Sequence, residues 1–302
     1  MIELTETDAG AIATAFVRER KRAGSPAMGM VMTLVVVTDE DHAHESMAAA
    51  QTATLEHPAR VLGVVRGDRR GHGIINAQVD IGEGWSGESA VIRLKGEVVP
   101  HAESVVLPLL LPDSPVVVWW PQGPPPDPAK DPIGALAQRR ITDAAAATRA
   151  RTTAILEQCR SYSRGNTDLA WTRVTPWRAL LAAALDQFPV KVTGASVTGE
   201  KVSPSADLLV AWLNDRLKVD VSRSASGGPG ITEVVLDSAE GPIRISRSDG
   251  KLATLEVPGR PPRRVALKRR AVPELMAEEL RRLDEDDIYA AAARRLVRMR
   301  KK

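Results

Sequence analysis

Hydrophobic and polar positions follow two different spacings in the first 120 residues. Continuous apolar, β-branched runs predict strands buried on both faces at 33–37, 61–65 and 115–120. A helix predicted at about 41–56 joins the first two runs, so these runs form a βαβ unit with parallel strands. Residues 77–81 and 92–95 instead alternate apolar with polar side chains, which predicts a one-sided hairpin at a sheet edge.

The clearest helical spacing lies in the middle of the chain, at residues 175–187. Apolar side chains recur there at i, i+3, i+4, i+7 and i+8, along one helix face: Trp177, Leu180, Leu181, Ala184 and Leu185. Thr175 is the predicted N-cap, Pro176 opens the helix and Pro189 ends it. Because the pattern changes across this helix, we expect two domains to meet close to it.

Short strands dominate the pattern after Pro189. A strand and a helix at 203–217 come first, followed by strands near 219–223, 231–236, 242–247, 252–257 and 264–268. The short, turn-rich connections of these five strands predict an antiparallel meander. Two amphipathic helices, at 273–283 and 287–299, follow the strands.

These elements predict a chain of mixed α/β and α+β class. We expect an N-terminal three-layer α/β domain with a mostly parallel sheet over residues 1–166. We expect a C-terminal α+β domain with an antiparallel meander and terminal helices over residues 167–302. If the central helix packs on the first sheet, the boundary moves to near residue 189.

Composition narrows the class of protein. The chain has 302 residues, a net charge of +3 and one cysteine, Cys159, which excludes an internal disulfide and a cysteine-based zinc site. No apolar run reaches the roughly 20 residues that span a bilayer, and the acidic start lacks a leader pattern, so we expect a cytoplasmic protein. Residues 260–302 are basic, but Tyr289 is their only aromatic residue, which argues against nucleic-acid binding.

Motifs for catalysis or cofactor binding are missing from the sequence. No G-x-G-x-x-G follows the first strand, and the glycines of GDRRGHG lead into a strand rather than a helix. His42, His44 and Glu45 lack the spacing of a metal site and read as a helix start. We therefore predict no catalytic residues, no metal and no cofactor.

Arginines in two short stretches are the strongest candidates for binding. Arg139, Arg140, Arg173 and Arg178 have the chemistry to clamp a phosphate or carboxylate, since guanidinium binds such groups bidentately. They have equally the chemistry to form ion pairs with Asp143, Asp168 and Asp186, and the sequence does not decide between the two. Asp39 and Trp120 follow or end buried strands, where α/β proteins place ligand crevices.

Three long blocks carry a resemblance to a known family: SVVLPLLLPDSPVVVWWP (104–121), DPIGALAQRRITDAA (131–145) and NTDLAWTRVTPWRALLAAALDQ (166–187). They resemble the glucose-6-phosphate dehydrogenase assembly protein (OpcA) family, as do TLVVVTDE (33–40), EHPARV (56–61) and ELMAEELRRLDEDDIYAAA (274–292). The resemblance implies a non-catalytic partner that binds the dehydrogenase and promotes its active oligomer in the oxidative pentose phosphate pathway. Thioredoxin-linked control, known in photosynthetic members, is not expected with a single cysteine.

Under this reading, the predicted partner contacts come from the two arginine-rich stretches: Arg139, Arg140, Asp168, Trp171, Arg173, Trp177 and Arg178. Trp and Arg dominate interface hot spots, although the tryptophans fit a core position equally well. The alternative is an enzyme or sensor that binds a sugar phosphate or nucleotide in the carboxyl-end crevice of the first sheet, with Asp39, Trp120 and the Arg139/Arg140 pair.

Overall fold

The computed structural model describes residues 1–23, 29–81, 87–147 and 151–300. Its strands, in chain order, are β1 (Ile2–Leu4), β2 (Met32–Thr38), β3 (Ala59–Arg66), β4 (Ile74–Ile81), β5 (Glu88–Lys95), β6 (Val116–Trp120), β7 (Arg139–Thr142), β8 (Asn166–Asp168), β9 (Val192–Glu200), β10 (Val221–Ser226), β11 (Ile231–Ser238), β12 (Ile243–Ser246), β13 (Leu252–Glu256) and β14 (Arg263–Ala266). Its α-helices are α1 (Ala9–Ala23), α2 (Ala43–Ala53), α3 (Ala102–Val106), α4 (Arg151–Arg160), α5 (Leu169–Thr172), α6 (Thr175–Gln187), α7 (Pro204–Leu217), α8 (Val272–Leu280) and α9 (Asp287–Met299).

Contacts divide the chain into two compact units. Unit 1 comprises Met1–Thr142, Ser163–Asn166 and Val272–Glu285, and unit 2 comprises Asp143–Tyr162, Thr167–Ala271 and Asp286–Lys302. One of the crossings, after Asn166, coincides with the predicted boundary, but α8 groups with unit 1 and α4 with unit 2. Whether two domains fold independently on either side of residue 166 stays a prediction.

Unit 1 is built around the sheet with strand order β1-β4-β5-β3-β2-β6-β7-β8. The run from β5 to β7 is parallel, which confirms the predicted mostly parallel sheet, and β4 pairs with β5 as the predicted hairpin. The hairpin is not at the edge, however, because β1 pairs with β4 on its outer side. The three residues of β1 were too few to give a strand pattern.

Both faces of the parallel sheet are covered. Every residue of β2 is buried, as the continuous apolar run predicted. On one face Val35 and Leu62 join a core with Phe16 of α1. On the other face α2 lies against β2 and β3, and α8 packs on α2. Met47 of α2 packs closely on Gly63, since a Cβ there would lie 2.5 Å from the Sδ of Met47.

Unit 2 contains the sheet with order β10-β9-β11-β12-β13-β14. Strands β11 to β14 form an antiparallel meander, as predicted. The strand predicted near 219–223 is not part of that meander: it is β10, which pairs parallel with β9. The reason is the connection, because α7 lies between β9 and β10 and carries the chain back to start a parallel neighbour.

The central helix α6 belongs to the core of unit 2. Trp177, Leu181 and Ala184 are buried, and Leu180 and Leu185 pack against the same core, which confirms the predicted apolar face. The predicted N-cap is wrong by one residue. Val174 occupies that position without a side-chain bond, and Thr175 is the first helical residue. None of the helices in the described ranges combines the length and apolar character needed to cross a bilayer.

Candidate interaction site

Arg173 and Asp143 form a bidentate pair at the start of unit 2. Nη1 and Nη2 of Arg173 each donate to one carboxylate oxygen of Asp143 at 2.7 Å. The Asp143 side chain is 3% exposed and that of Arg173 is 24% exposed, so part of the Arg173 side chain reaches the surface. Burial lowers the pKa of Arg173, but the bond to Asp143 and the charges of Asp143 and Asp168 outweigh it and raise that pKa.

Asp168 holds two backbone segments together rather than facing a ligand. The residue is fully buried. Its Oδ1 accepts the N–H of Ala170 at 2.8 Å as the N-cap of α5, and its Oδ2 accepts the N–H of Ala144 at 3.0 Å. The Asp143–Arg173 pair therefore lies on backbone that Asp168 fixes on both sides.

Trp171 joins this cluster to the start of α9. Its ring is 1% exposed, and Nε1 donates to Oδ2 of Asp286 at 2.7 Å. The other oxygen of Asp286 accepts the N–H of Tyr289 at 2.8 Å, which makes Asp286 the N-cap of α9. The Tyr289 ring lies 5.7 Å from that of Trp171. Trp171 is thus fixed by packing and by one hydrogen bond.

Arg178 stacks on the outer face of Trp171. Its Cζ lies 3.7 Å from the centre of the indole ring, which is a close cation–π contact. Its Nη2 donates to Oγ1 of Thr175 at 3.2 Å. The residue is partly exposed, in contrast to Trp171 and Trp177, and its guanidinium is positioned by an aromatic surface.

Trp177 is a core residue of unit 2. It is 2% exposed and belongs to the same hydrophobic cluster as Leu181 and Ala184. The Cζ of Arg247 lies 5.0 Å from its ring centre. Trp171 and Trp177 are therefore both buried. Of the two positions considered for them from the sequence, interface or core, the structure places both in the core.

Arg139, in unit 1, forms a buried ion pair. Its Nη2 donates to Oε2 of Glu279 at 2.6 Å, and both side chains are buried. Its Nη1 donates to the carbonyl of Asp284 at 2.9 Å. The pair ties α8 and the segment after it to the end of the parallel sheet within unit 1.

Arg140 binds the segment 163–166. Nε donates to Oδ1 of Asn166 at 2.6 Å and Nη1 to the carbonyl of Ala137 at 2.6 Å, and Nη2 donates to the carbonyl of Arg164. Gly165 has a φ of +86°, and a Cβ there would lie 2.2 Å from the carbonyl oxygen of Gln138. Only glycine lets this segment approach β7 so closely.

The seven predicted contact residues therefore differ in their exposure to solvent. Arg173 and Arg178 are partly exposed in unit 2, and the other five are buried: Arg139, Arg140, Asp168, Trp171 and Trp177. Ion pairing, the alternative weighed for the arginines, holds for Arg173 with Asp143, and for Arg139 with Glu279 rather than a predicted aspartate. Asp186 is exposed, and no ion pair of its carboxylate occurs in the described ranges.

Asp39 and Trp120 lie at the carboxyl ends of the adjacent strands β2 and β6. Strand β3, which follows β2 in the chain, pairs with one side of β2, and β6 pairs with the other side. The strand order therefore changes direction between β2 and β6, and open α/β sheets bind ligands at such a topological switch point. Asp39 is exposed and contacts Nδ1 of His42 at 2.6 Å, a bond that is the main reason for the raised pKa of His42. Trp120 is 1% exposed and packs against Gly134. Asp39 is therefore exposed at this point, whereas Arg139 and Arg140, also predicted for this crevice, lie at the opposite, amino end of β7 and are wrong as crevice residues.

Groups for metal chemistry do not gather in the part of the chain that the structure describes. Across those ranges, no cluster of three or more His, Cys, Asp or Glu side chains could hold a metal ion. Cys159 is 4% exposed, and burial, followed by the charge of Asp168, raises its pKa far above the usual range of a thiol. A thiol in that state is a poor nucleophile.

Sequence reasoning missed two acidic residues that organise these clusters. Glu279 lies 140 positions from Arg139, and no local pattern connects them. Asp286 had a local signal, because an aspartate directly before the apolar face of α9 is a typical N-cap. Its second role, as acceptor for Trp171, depends on contact across 115 positions and could not be read from spacing.

Two family models match most of the chain. The model for the N-terminal domain of the glucose-6-phosphate dehydrogenase subunit matches residues 50–161. The model for the C-terminal domain of the same protein matches residues 164–293. Together they include β7, α5, α6 and all seven predicted contact residues. No curated protein matches the chain.

Solved structures give only distant likenesses. An oxidoreductase from Sinorhizobium meliloti has 10% identity, a TM-score of 0.41 and coverage of 89% of each chain. A structure from E. coli, named as trehalose-6-phosphate bound with UDP-2-fluoro glucose, has 12% identity, a TM-score of 0.27 and coverage of 65% of each chain. Both scores are too low to support an argument about function.

Proposed function

Because this chain belongs to the family of glucose-6-phosphate dehydrogenase assembly proteins (OpcA), we propose that it is a non-catalytic assembly factor and allosteric activator of that dehydrogenase. It binds the dehydrogenase and promotes its active oligomer in the oxidative pentose phosphate pathway, in the cytoplasm. The observation that carries the proposal is the match of the two family models, which run almost without a gap from residue 50 to residue 293.

Activation in this scheme needs no chemistry from the chain itself. A binding partner shifts an oligomer toward its competent form only by binding that form more tightly than the others. The dehydrogenase supplies the NADP and sugar-phosphate sites. The sequence fits this division of labour, since it contains no dinucleotide fingerprint or nucleophile motif.

The surface we assign to the dehydrogenase is the exposed side of Arg173 and Arg178. Both guanidinium groups are held in place before binding, one by the Asp143 fork and one by the Trp171 ring. Such preorganisation lowers the entropy lost when a partner carboxylate is bound. Asp168, Trp171 and Trp177 support this surface from within unit 2. Arg139 and Arg140 stabilise segments of unit 1 instead.

A steady-state assay of the cognate dehydrogenase, with and without the purified protein, tests the proposal. We expect a higher rate and a shift to a larger assembly in sedimentation. Arg178→Ala should weaken binding by about 2 kcal/mol or more, as expected of an interface hot spot. Arg216→Ala is the matched control, because Arg216 is an exposed arginine of unit 2 at the end of α7.

The assay has two outcomes that would count against the proposal. An unchanged rate and an unchanged sedimentation profile would remove the proposed function. Binding that is equally tight for the wild type and for folded Arg173→Ala and Arg178→Ala variants would keep the partnership but remove the proposed surface.

A second candidate function follows from the switch point between β2 and β6. A sugar phosphate or nucleotide bound there would make the chain an enzyme or a sensor, and the specific support is the exposed Asp39 at that point. Calorimetry with glucose 6-phosphate and with NADP tests it. Binding that is lost in Asp39→Ala would support this function, and binding of neither compound, or binding unaffected by Asp39→Ala, would remove it.

A further inference from the structure

The sheet of unit 2 ends on one side at β10, a strand of six residues with the sequence VSRSAS. Its register with β9 runs without a bulge over all six residues. Ser222, Ser224 and Ala225 are exposed, so the described part of the chain does not cover this side of the sheet. Strand β10 is therefore a regular and accessible edge strand.

The backbone of β10 presents hydrogen-bonding groups along this edge. Successive residues of a parallel strand point their N–H and C=O groups to opposite sides. The carbonyl of Asp220 accepts the N–H of Ala195 in β9 at 3.1 Å, so every second residue from 220 onward points to β9. The backbone groups of Val221, Arg223 and Ala225 point outward, where no strand of the described chain pairs with them. They are available to another strand.

The one charged side chain of β10 does not block the edge. The guanidinium of Arg223 turns back onto β9, where it donates to the carbonyls of Gly199 and Glu200. Its Nε lies 3.5 Å from Oδ1 of Asp207 in α7, and the Arg223 side chain is 21% exposed. The charge is thus paired on the inner side of the strand, and the exposed side chains of β10 are small and neutral.

The other sheet edges are protected against pairing. The edge strands β1 and β8 of unit 1 have three residues each. Strand β14, at the far edge of the same sheet as β10, has four residues, of which two are arginines, and it follows Pro261 and Pro262. Short strands, charges and prolines keep the edges of natural sheets from associating. Strand β10 is longer, contains no proline and directs its charge inward, and this contrast marks it as a pairing edge.

We propose that β10 pairs with β10 of a second copy of this chain, antiparallel across a two-fold axis, so that the two six-stranded sheets become continuous. The outward backbone groups bond in pairs when Ser224 lies opposite Ser224 of the copy. In this register the two Ser224 hydroxyl groups can hydrogen-bond across the strands. Arg223 then lies opposite Ala225 rather than the second arginine, so like charges do not face each other directly.

Small side chains favour a second copy over an unrelated partner. When a foreign strand adds to an edge, main-chain bonds give affinity, and pockets beside the edge select the side chains of the partner. The serines and alanine of β10 are too small to form the walls of such pockets. Two-fold symmetry needs no pocket, and it is the commonest arrangement of soluble oligomers. The inference does not rest on the proposed partnership, because self-association is measured on this protein alone.

Sedimentation velocity of the full chain, at concentrations from about 1 to 200 µM, tests the pairing. We expect a dimer that dissociates on dilution, because a single strand pair is smaller than a standard interface. Ser224→Lys and Ser224→Glu should each raise the dissociation constant about fivefold or more, since like charges then face each other. An equimolar mixture of the two variants should recover the affinity of the wild type or exceed it, because opposite charges then meet.

Two further variants complete the test. Ala266→Lys is the matched control, because it adds the same charge to an exposed residue of the opposite edge strand β14, and it should leave the dimer unchanged. Ala225→Pro removes an outward N–H and should weaken the dimer, and proline is tolerated on edge strands at such positions. Thermal unfolding checks that each variant folds. If Ala225→Pro does not fold, the exposed Ser224 variants decide alone.

The results that would overturn the pairing are equally definite. They are a monomer at every concentration, a dimer that Ser224→Lys leaves unchanged, an equal loss in Ala266→Lys, or no recovery in the mixture of the two Ser224 variants. If the wild type alone is monomeric but Ser224→Lys weakens its binding to the dehydrogenase, β10 pairs with a strand of that protein and the inference of a second copy fails.

Discussion

The two sheets of this protein bury their strands to different degrees. In β2 of unit 1 all seven residues are buried, whereas in β9 of unit 2 buried residues alternate with partly exposed ones. Helices pack on both faces of the sheet in unit 1. The sheet in unit 2 packs one face against the core of that unit, and its other face carries polar residues. The comparison teaches that an open sheet face can supply polar side chains for binding, and a covered sheet can offer them only at strand ends.

Carboxylates with little exposure bind arginines in both units, and in unit 2 they also cap helices. In unit 1, Glu88 binds Arg60 and Arg20, and Glu279 binds Arg139. In unit 2, the buried Asp168 and the partly exposed Asp286 accept backbone N–H groups at the starts of α5 and α9. The acids named in unit 1 therefore bind arginines, whereas unit 2 uses acids both for an ion pair, between Asp143 and Arg173, and as helix caps.

The largest expected effect comes from the ion pairs of unit 1. Arg139→Met should lower the free energy of unfolding by about 3–5 kcal/mol, because it leaves Glu279 buried without this cation. Arg281→Met, which breaks the exposed pair with Glu56, should cost about 1 kcal/mol or less. Urea denaturation measures both. Equal losses would mean that burial does not set the strength of these pairs.

Removing an apolar side chain compares the two sheets directly. Leu34→Ala in β2 should lower the free energy of unfolding by about 2–5 kcal/mol, since the residue is fully buried and leaves a cavity. Leu252→Ala in β13 should change it by about 0.5 kcal/mol or less, because that side chain is 49% exposed. The same denaturation experiment applies, and a large loss for Leu252→Ala would show that the second sheet is covered on both faces.

The cap of α9 gives a smaller effect. Asp286→Ala should cost roughly 1–3 kcal/mol, because it removes the N-cap and leaves Nε1 of Trp171 without its acceptor. Asp287→Ala, one residue later and exposed, should cost under about 1 kcal/mol through the helix dipole. Trp fluorescence during thermal unfolding follows both variants. A milder effect for Asp286→Ala than for Asp287→Ala would contradict the capping role.

The smallest effect concerns Cys159. Burial raises its pKa in the folded state, so the unfolded chain loses the thiol proton first as the pH rises through about 8.5. The stabilisation is complete below that pH and declines above it, by about 0.7 kcal/mol between pH 8 and pH 9. The difference in unfolding free energy between the wild type and Cys159→Ala isolates this contribution. A difference that does not change with pH would show that the thiol titrates normally in the folded chain.

Local patterns predicted most elements but not all of their partners. The apolar runs of β2, β3 and β6, the apolar face of α6 and the meander from β11 to β14 were all predictable, because each depends on spacing within a few residues. The parallel pairing of β10 with β9 was not predicted, because short strands with turn-rich ends look alike in either direction. The edge strand β1 has only three residues and gave no signal.

The candidate site shows the same limit. The arginine-rich stretches were found from residue type, and their resemblance to a known family is confirmed by the two matching models. Spacing could not tell which arginines reach the surface, since exposure depends on residues more than 100 positions away, such as Glu279 for Arg139. The sequence also gave no sign that Arg247 is buried and bound to the carbonyls of Leu267 and Ile231.

The sequence by itself determined the fold class, the family and the residue types available for binding, because these follow from composition, periodicity and long diagnostic blocks. The tertiary structure alone decided which charges are paired, which are capped and which are left with spare donors. The physical reason is that burial and electrostatic pairing are set by contacts between distant segments. In this protein those contacts bury Arg139 in an ion pair within unit 1 and leave Arg173 and Arg178 partly exposed. They also leave Arg247 without an ion pair in the described part of the chain.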